Sequence, residues 1–260
     1  MRGPPAKAAR VAALYDIHGN LPALEAVLRE VLAARVDRVV VGGDVLPGPM
    51  PRESLALLLA LDLPLHFVRG NGEREALMSR RGEVPPGVPA RYLPVTRWAA
   101  DQLLPEQVKA IEAWPLTVSV EFEELGEVLF CHATPASDNE IFTEATPERR
   151  LRAIFAGVDA RVVVCGHTHM QFDRTIGKTR VVNAGSVGMP FGEPGADWLL
   201  LGPDVELRHT AYDLARAAER IRATTYPEDF AARYVLNPPA AAQMLDVFTA
   251  FSLKEGAGRW

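Results

Sequence analysis

The first eighty residues alternate between short apolar runs and amphipathic segments, and this alternation constrains the fold more than any other feature of the sequence. The run VAALY at 11–15 predicts a buried strand, and apolar residues then recur at helical spacing from Leu21 to Leu32. Two more strand and helix pairs are predicted, with strands at 38–42 and 63–68 and helices at 53–61 and 73–80. A β-α-β-α-β series implies parallel strands joined by right-handed crossovers, so the sequence predicts an α/β fold.

After residue 115 the pattern changes to antiparallel signals. Two alternating runs separated by Glu-Leu-Gly predict a hairpin over 116–133. The Pro-rich segment 84–94 interrupts the earlier alternation, and we expect it to cross the surface before two short helices. The remaining predictions are a helix near 148–156 and strands at 161–165, 171–176, 179–185, 197–201 and 205–210.

Polar residues follow five of the predicted strands, at the points where the strands end. In an open parallel sheet the ligand site lies at the carboxyl ends of the strands, so these side chains are expected to meet. Each alone has an ordinary explanation as a helix cap, a turn residue or a hydrogen-bonded core histidine. Together they include four of the six histidines in the chain, which favours a site. The residues are Asp16, His18, Asn20, Asp44, Asn71, His132, His167 and His169.

Carboxylate, amide and imidazole side chains without thiolates are a suitable ligand set for divalent cations. The carboxylate of Asp44 has two oxygens with which to bridge two ions. Two ions about 3.5–4 Å apart hold both the attacking and the leaving oxygen of an in-line phosphoryl displacement, and they activate a bridging water. These residue types therefore predict metal-assisted hydrolysis of a phosphoester.

The ordered motifs D-x-H, GGD, GN, H and GHTH resemble those of the calcineurin-like metallophosphoesterase superfamily over most of residues 10–210. The stretches DIHGN, RGN and NAGSVGMP further resemble its compact bacterial and archaeal branch of phosphodiesterases, which includes relatives that hydrolyse dinucleoside polyphosphates. The resemblance implies a four-layer αββα sandwich of two facing mixed β-sheets. The hairpin at 116–133 and the strands after His169 are expected to supply most of the second sheet.

The resemblance also implies a set of metal ligands and a nucleophile. Two divalent ions are expected, with manganese first and nickel, cobalt, iron, zinc or magnesium as alternatives. The nucleophile would be a metal-bound hydroxide held by Asp44. The first ion would be held by Asp16, His18 and His169, the second by Asn71, His132 and His167, with Asp44 bridging them, and substrate contacts are expected from Asn71, Gly72 and Asn183.

One position departs from the family pattern. Many members carry a histidine after the ligand asparagine, which contacts the substrate phosphate and protonates the leaving oxygen, but here Gly72 takes its place. General acid catalysis is typically worth about 10²–10⁴ in rate, so we expect either a substrate with a good leaving group or a phosphoanhydride bond, or another group that supplies the proton. The glycine is also expected to clear room beside the metals for a bulky diester or nucleotide. The alternatives are a phosphomonoesterase or protein phosphatase of the same fold, or a non-catalytic interaction scaffold.

The rest of the chain predicts its organisation and environment. Residues 1–9 are expected to form a disordered leader, and residues 211–260 a C-terminal helical appendage that packs on the core, caps the cleft or contacts a second subunit. A net charge of −5 argues against stable nucleic-acid binding. No apolar stretch approaches the roughly 18–20 residues needed to cross a bilayer, so a cytoplasmic protein is expected, with homo-oligomerisation left open. Two cysteines are too few for a disulfide framework and are expected to be buried thiols.

Overall fold

A computed structural model of the protein describes residues 7–254. The short apolar runs of the sequence form its strands, within a few residues of the predicted positions. In chain order the strands are β1 (Val11–Leu14), β2 (Arg38–Val41), β3 (Leu65–Phe67), β4 (Thr117–Phe122), β5 (Gly126–Cys131), β6 (Val162–Cys165), β7 (Phe172–Ile176), β8 (Thr179–Asn183), β9 (Ala196–Leu201) and β10 (Val205–Thr210).

The strands form two mixed sheets of five strands each. The first has the order β10-β9-β1-β2-β3, in which β1, β2 and β3 run parallel. The second has the order β4-β5-β6-β8-β7, in which β5, β6 and β8 run parallel and both outer strands are antiparallel to their neighbours. The predicted α/β fold with two mixed sheets is confirmed.

The position of β9 and β10 corrects one expectation. Of the strands after His169, β7 and β8 join the second sheet as predicted, but β9 and β10 belong to the first. β9 pairs antiparallel with β1, which places Val11 opposite Leu201. Because all four residues of β1 are buried, that strand needs a partner on each edge, and the apolar strand β9 supplies the second.

The two sheets face each other across an apolar core. Successive side chains of a strand point to opposite faces, so Ala13 lies between the sheets while Leu14 packs towards the helices. On the second sheet Phe130 and Val164 fill the same inner core, and Cys165 belongs to the outer face. Both cysteines are buried and free, as predicted. Each sheet therefore has an inner face against the other sheet and an outer face covered by helices, which gives the four layers.

Helices cover the outer faces of both sheets. Helices α1 to α5 pack over the first sheet and α6 over the second. The start of α1 follows its predicted cap, because Asn20 Oδ1 accepts a hydrogen bond from the backbone N–H of Ala23 at 3.3 Å. Among the described residues, no helix has the length and apolar character needed to cross a membrane. The helices are α1 (Leu21–Ala33), α2 (Pro51–Leu59), α3 (Asn71–Arg80), α4 (Leu93–Gln102), α5 (Pro105–Glu112), α6 (Glu148–Ile154), α7 (Leu214–Arg222) and α8 (Ala241–Lys254), with a 3₁₀ turn at Ala90–Tyr92 and a π-helix at Ala231–Leu236.

The two ends of the described chain lie against this core. Residues 1–6 of the predicted leader lie outside the described residues, and within its last part Ala8 is buried and pairs with Phe122, the last residue of β4. After β10 the chain forms α7, the π-helix and α8. Arg220 on α7 donates two hydrogen bonds to the Glu25 carboxylate on α1, at 2.6 and 2.9 Å. The helices predicted from residue 211 onward are therefore present and contact the sandwich.

Candidate metal centre

The predicted ligands lie together at one edge of the sandwich, where strands of both sheets end. Asp16 follows β1, Asp44 follows β2, and Asn71 is the first residue of α3 after β3. From the second sheet, His132 follows β5 and the pair His167 and His169 follows β6. Five of these seven side chains are buried, and Asn71 and His167 are half-buried. The clustering expected from strand ends is thus present in the structure.

The first predicted ligand set is compact. Asp16 Oδ1 lies 3.3 Å from His169 Nε2 and 3.8 Å from His18 Nε2. The two imidazole Nε2 atoms lie 3.1 Å from each other. These three residues form a group with the geometry to hold a metal ion.

Asp44 lies between the two predicted sets. Its Oδ2 is 3.8 Å from His18 Nε2, and its Oδ1 is 3.5 Å from His132 Nε2. Each oxygen therefore faces an imidazole of a different set, as a bridging carboxylate requires. Asp16, Asp44 and His132 form a second group with ligand geometry, since Asp16 Oδ1 is also 3.9 Å from His132 Nε2. The ring of His167 stands edge-on to that of His132, with centroids 5.1 Å apart.

Four ligand-type atoms of this centre are buried without a hydrogen-bond partner. Buried polar atoms are nearly always partnered in folded proteins, so a group of orphans calls for an explanation. Each of the four is an oxygen or nitrogen of the kind that binds divalent cations. The residues present therefore fit a metal centre. The atoms are Asp16 Oδ1, Asn71 Oδ1, His132 Nε2 and His167 Nε2.

Backbone carbonyl oxygens orient three of the imidazoles. A carbonyl accepts only, so each Nδ1 carries the proton and each Nε2 presents a lone pair to the centre. Two such lone pairs, on His18 and His169, would repel at 3.1 Å, and a cation between them removes that conflict. The Nδ1 to oxygen distances are 3.0 Å from His18 to Pro47, 2.9 Å from His132 to Gly42 and 3.0 Å from His169 to Met189.

The protonation states suit metal binding. Burial lowers the pKa of His18 to about 3 and that of His167 to about 3, so both rings are neutral at pH 7. Burial opposes ionisation of Asp16, but the nearby His169 and His132 hold the pKa of this carboxyl well below its usual range. Burial, followed by the charge of Glu73, raises the pKa of Asp44. A cation at this centre would offset that last penalty.

Five of the seven candidate ligands have a left-handed backbone. Their φ angles are all positive, a conformation that costs a residue with a side chain roughly 1–2 kcal/mol. Strain of this kind clusters at functional sites, where the surrounding structure holds it in place. The angles are 52° for Asp16, 46° for His18, 51° for Asp44, 67° for His167 and 58° for His169.

Glu73 has a structural role that sequence reasoning missed. This residue follows Gly72 in the chain, and in the structure it is fully buried and accepts four backbone hydrogen bonds. Oε2 accepts from Asp44 and Gly70, and Oε1 from Val45 and Leu46, over 2.8 to 3.3 Å. It thereby ties the loop that carries Asp44 to the start of α3. The available signal was a glutamate three residues after Gly70, the spacing of a capping box.

The prediction that Gly72 clears room beside the metal site is wrong. A Cβ built on it would lie 2.0 Å from the backbone oxygen of Leu46, so the loop after β2 fills the expected space. Its backbone N–H donates to Asp44 Oδ1 at 2.7 Å. The glycine is required for close approach of two backbone segments, and a histidine side chain has no place there without movement of that loop.

We expect Gly72→Ala to destabilise the protein by about 1–3 kcal/mol, because overpacking forces the backbone to shift. In a helix with open space at this position the same change would stabilise the protein by up to about 1 kcal/mol. The sign of the stability change therefore shows whether the contact with Leu46 obstructs a side chain. Urea unfolding of wild type and variant measures the difference. A variant as stable as wild type would show that the contact with Leu46 does not constrain this position.

Asn183 lies behind the centre. It is completely buried, and its amide donates to the oxygen of Gly166 at 2.7 Å and to Thr168 Oγ1 at 3.1 Å. Its Oδ1 accepts from the N–H of Gly185 at 2.9 Å. These bonds support the loop that carries His167 and His169. The geometry thus gives Asn183 a positioning role and offers no support for the predicted substrate contact.

A cavity of about 520 Å³ opens directly from the centre. His18, Asp44, Asn71 and His167 line its inner end, with Glu75 beside them. The segment predicted to cross the surface at 84–94 supplies one of its walls. Four of the seven candidate ligands are therefore open to a molecule of moderate size.

Two facing mixed sheets with carboxylates and imidazoles at one edge define a metallophosphoesterase fold. Residues 10–202 match the calcineurin-like phosphoesterase superfamily domain, which is most of the chain. The protein belongs to this superfamily.

Individual relatives are similar to this chain over most of its length and most of their own. An uncharacterized protein of Methanocaldococcus jannaschii is 26% identical over 239 residues, which cover 84% of this chain and 94% of that protein. The crystal structure of a metallophosphoesterase from Sphaerobacter thermophilus is 25% identical with a TM-score of 0.68, over 87% of this chain and 98% of that one. A hypothetical protein from Pyrococcus horikoshii OT3 has a TM-score of 0.74 at 21% identity, over 88% and 99% of the two chains, and supports the fold.

Proposed function

We propose that the protein is a metal-dependent hydrolase of phosphodiester or nucleotide phosphoanhydride bonds. The observation that carries this proposal is the set of orphaned ligand atoms on Asp16, Asn71, His132 and His167, of which those of Asn71 and His167 belong to residues that line a substrate-sized cavity. Membership of the superfamily supplies the class of chemistry, and the site supplies the residues.

Two divalent ions are proposed at this centre. When bound, such ions polarise a phosphoryl oxygen and lower the pKa of a coordinated water. Manganese is our first choice, and imidazole and carboxylate ligands also accept nickel, cobalt, iron, zinc or magnesium. Asp16, His18 and His169 would hold one ion and Asn71, His132 and His167 the other, with Asp44 shared between them.

Hydrogen bonds within the chain hold the proposed ligands in position before any substrate binds. The Nδ1 hydrogen bonds fix the imidazole rings, and the Gly72 N–H fixes one carboxylate oxygen of Asp44. Glu73 accepts from the backbone N–H groups of Asp44 and Gly70, so it fixes the two segments that meet at that carboxylate. Preorganised polar groups of this kind need no reorganisation when charge develops in the transition state.

The start of α3 presents no side-chain acid at the family's histidine position, since Gly72 packs against Leu46 there. We infer that the leaving group departs without protonation from this position. Nucleotide phosphates and phenolates do so readily, whereas a simple alkoxide needs the proton. This favours an activated diester or an anhydride over an alkyl monoester or a phosphoprotein.

A non-catalytic scaffold is a poorer account of the same residues. Desolvated, unpartnered polar atoms destabilise a fold, and so do left-handed backbone angles. Both are concentrated at the candidate ligands. A scaffold has no physical need for that concentration.

An assay of metal-free protein reconstituted with Mn²⁺, Ni²⁺, Co²⁺, Zn²⁺ or Mg²⁺ tests the proposal. The panel comprises an aryl phosphodiester, a cyclic nucleotide, a dinucleoside polyphosphate and an aryl phosphomonoester. We expect at least one ion to support hydrolysis of the aryl diester or the polyphosphate, with kcat/KM above that for the monoester. Higher activity on the monoester would favour a phosphomonoesterase, and inactivity with every ion and substrate would contradict an enzyme.

A further inference from the structure

Helix α8 forms one wall of the cavity that opens from the metal centre. Its cavity-lining residues recur at positions i, i+3, i+4 and i+7, which places them on a single face of the helix. This α8 wall consists of Met244, Val247, Phe248 and Phe251. It lies outside the residues 10–202 that match the superfamily domain.

The α8 wall is not explained by core packing. Of all the residues in α8 only Ser252 is buried, while Met244 and Phe248 are half-buried and Val247 is 37% exposed. Apolar helix faces normally cover a core, but this one faces the cavity. Hydroxyl contacts hold the helix from another side, with Thr249 Oγ1 2.7 Å from Thr143 Oγ1 and Ser252 Oγ 3.0 Å from Thr146 Oγ1.

Aromatic rings connect the α8 wall to the metal centre. The ring of Phe248 lies 6.0 Å from that of Phe191, measured between centroids. Phe191 in turn stacks on the imidazole of His169, at 5.4 Å and an interplanar angle of 21°. Two successive ring contacts therefore link a candidate ligand to α8.

The facing wall comes from the segment before and within α4. Tyr92 and Val95 line the cavity there, and Arg233 of the π-helix hydrogen-bonds to the Tyr92 side chain. The guanidinium of Arg91 lies over the Tyr92 ring, 4.7 Å from its centroid. Both arginines line the cavity, and their positive charges attract an anionic substrate.

We propose that the α8 wall and Tyr92 bind a flat ring carried by the substrate, so that the protein selects phosphodiesters with an aryl or nucleobase group over those with a small alkyl group. The inference rests on the proposed function and adds the substrate class. Flat rings match the surfaces that Phe248 and Phe251 offer, and burying apolar area there favours a ring over a methyl group.

Diesters that share a p-nitrophenyl leaving group test the selection for a ring on the ester group that is not displaced. We compare p-nitrophenyl phenyl phosphate, p-nitrophenyl methyl phosphate and the p-nitrophenyl ester of thymidine 5′-phosphate with Mn²⁺-loaded protein. We expect kcat/KM for the phenyl diester to exceed that for the methyl diester about 10-fold or more, from the extra apolar area buried. The thymidine ester distinguishes a nucleobase from a simple aryl group. A kcat/KM above that for the phenyl diester would identify a nucleoside as the preferred group.

Variants assign the selection to α8. Phe248→Ala and Met244→Ala are each expected to reduce the phenyl to methyl ratio at least 3-fold. Leu245→Ala is the matched control, because Leu245 lies on the same helix and does not line the cavity. It is expected to keep the wild-type ratio. Using two separate wall variants keeps the test valid where one of them unfolds α8.

A binding measurement separates this inference from the proposed function. Phenylphosphonate and methylphosphonate are titrated into the Mn²⁺-loaded protein by calorimetry, which requires no turnover. A Kd ratio of about 10 in favour of the phenyl ligand, reduced in Phe248→Ala but not in Leu245→Ala, supports the α8 wall even where no diester is hydrolysed. Equal binding of the two phosphonates by wild type overturns the inference, whether or not the protein is a diesterase.

Discussion

Asp44→Asn is expected to weaken binding of Mn²⁺ at least 100-fold, with a loss of diesterase activity of the same order, because replacing even the outer partners of a metal ligand costs about 10–100-fold. The carboxylate of Asp44 presents one oxygen towards His18 and the other towards His132, so its charge acts on both proposed ions. Asparagine keeps an oxygen that accepts from the Gly72 N–H but removes the charge. The local hydrogen bond is therefore retained while the bridging group is lost.

The same substitution is not expected to destabilise the metal-free protein. Burial and the neighbouring acids Glu73 and Asp16 disfavour the charge of Asp44, so a neutral amide removes repulsion. At an ion concentration 100 times the wild-type Kd, metal stabilises wild type by about 2.7 kcal/mol and a 100-fold weaker variant by about 0.4 kcal/mol. Thermal unfolding with and without Mn²⁺ measures both, with the exposed Asp62→Asn as control. A variant whose unfolding temperature rises with Mn²⁺ as much as that of wild type would show that Asp44 does not bind the ions.

Glu73→Gln is expected to lower the free energy of unfolding by about 2–6 kcal/mol. The glutamine oxygen can accept two of the four backbone N–H groups that now meet the carboxylate, and its NH₂ group faces the other two. Each buried donor left without an acceptor costs about 1–3 kcal/mol. A domain has only about 5–15 kcal/mol of stability in all, so the effect is a large fraction of the total.

Urea unfolding checks this value, with Glu124→Gln as the matched control. Glu124 is an exposed residue of the hairpin between β4 and β5, and its variant is expected to stay within about 0.5 kcal/mol of wild type. A loss below about 1 kcal/mol for Glu73→Gln would contradict the role of the carboxylate as a fourfold acceptor.

Local patterns account for the parts of the fold that could be predicted from the sequence. The strand preceding Asp16 and the helix beginning at Leu21 follow from short-range periodicity and a cap at Asn20, and each is present. The gathering of Asp16, Asp44 and His132 followed from topology, since carboxyl ends of parallel strands meet at one edge.

Long-range packing accounts for the parts that could not be predicted. Nothing near residues 196–210 in sequence indicates that β9 pairs with β1 across more than 180 positions. Likewise, the contact of Gly72 with the backbone of Leu46 depends on where the loop after β2 returns, so a glycine that indicated space proved to be tightly packed. The half-exposed face of α8 reads as an ordinary amphipathic stripe until the cavity beside it is known.

The proposed site is a pair of ions, held by the cluster around Asp16 and Asp44, that together support diester hydrolysis. Its most direct test is the rate of p-nitrophenyl methyl phosphate hydrolysis during titration of Mn²⁺ into metal-free protein held well above the Kd. We expect a rate that rises and then stays constant beyond two equivalents per chain. A rate that stays at background through ten equivalents, or is complete at one, would contradict it.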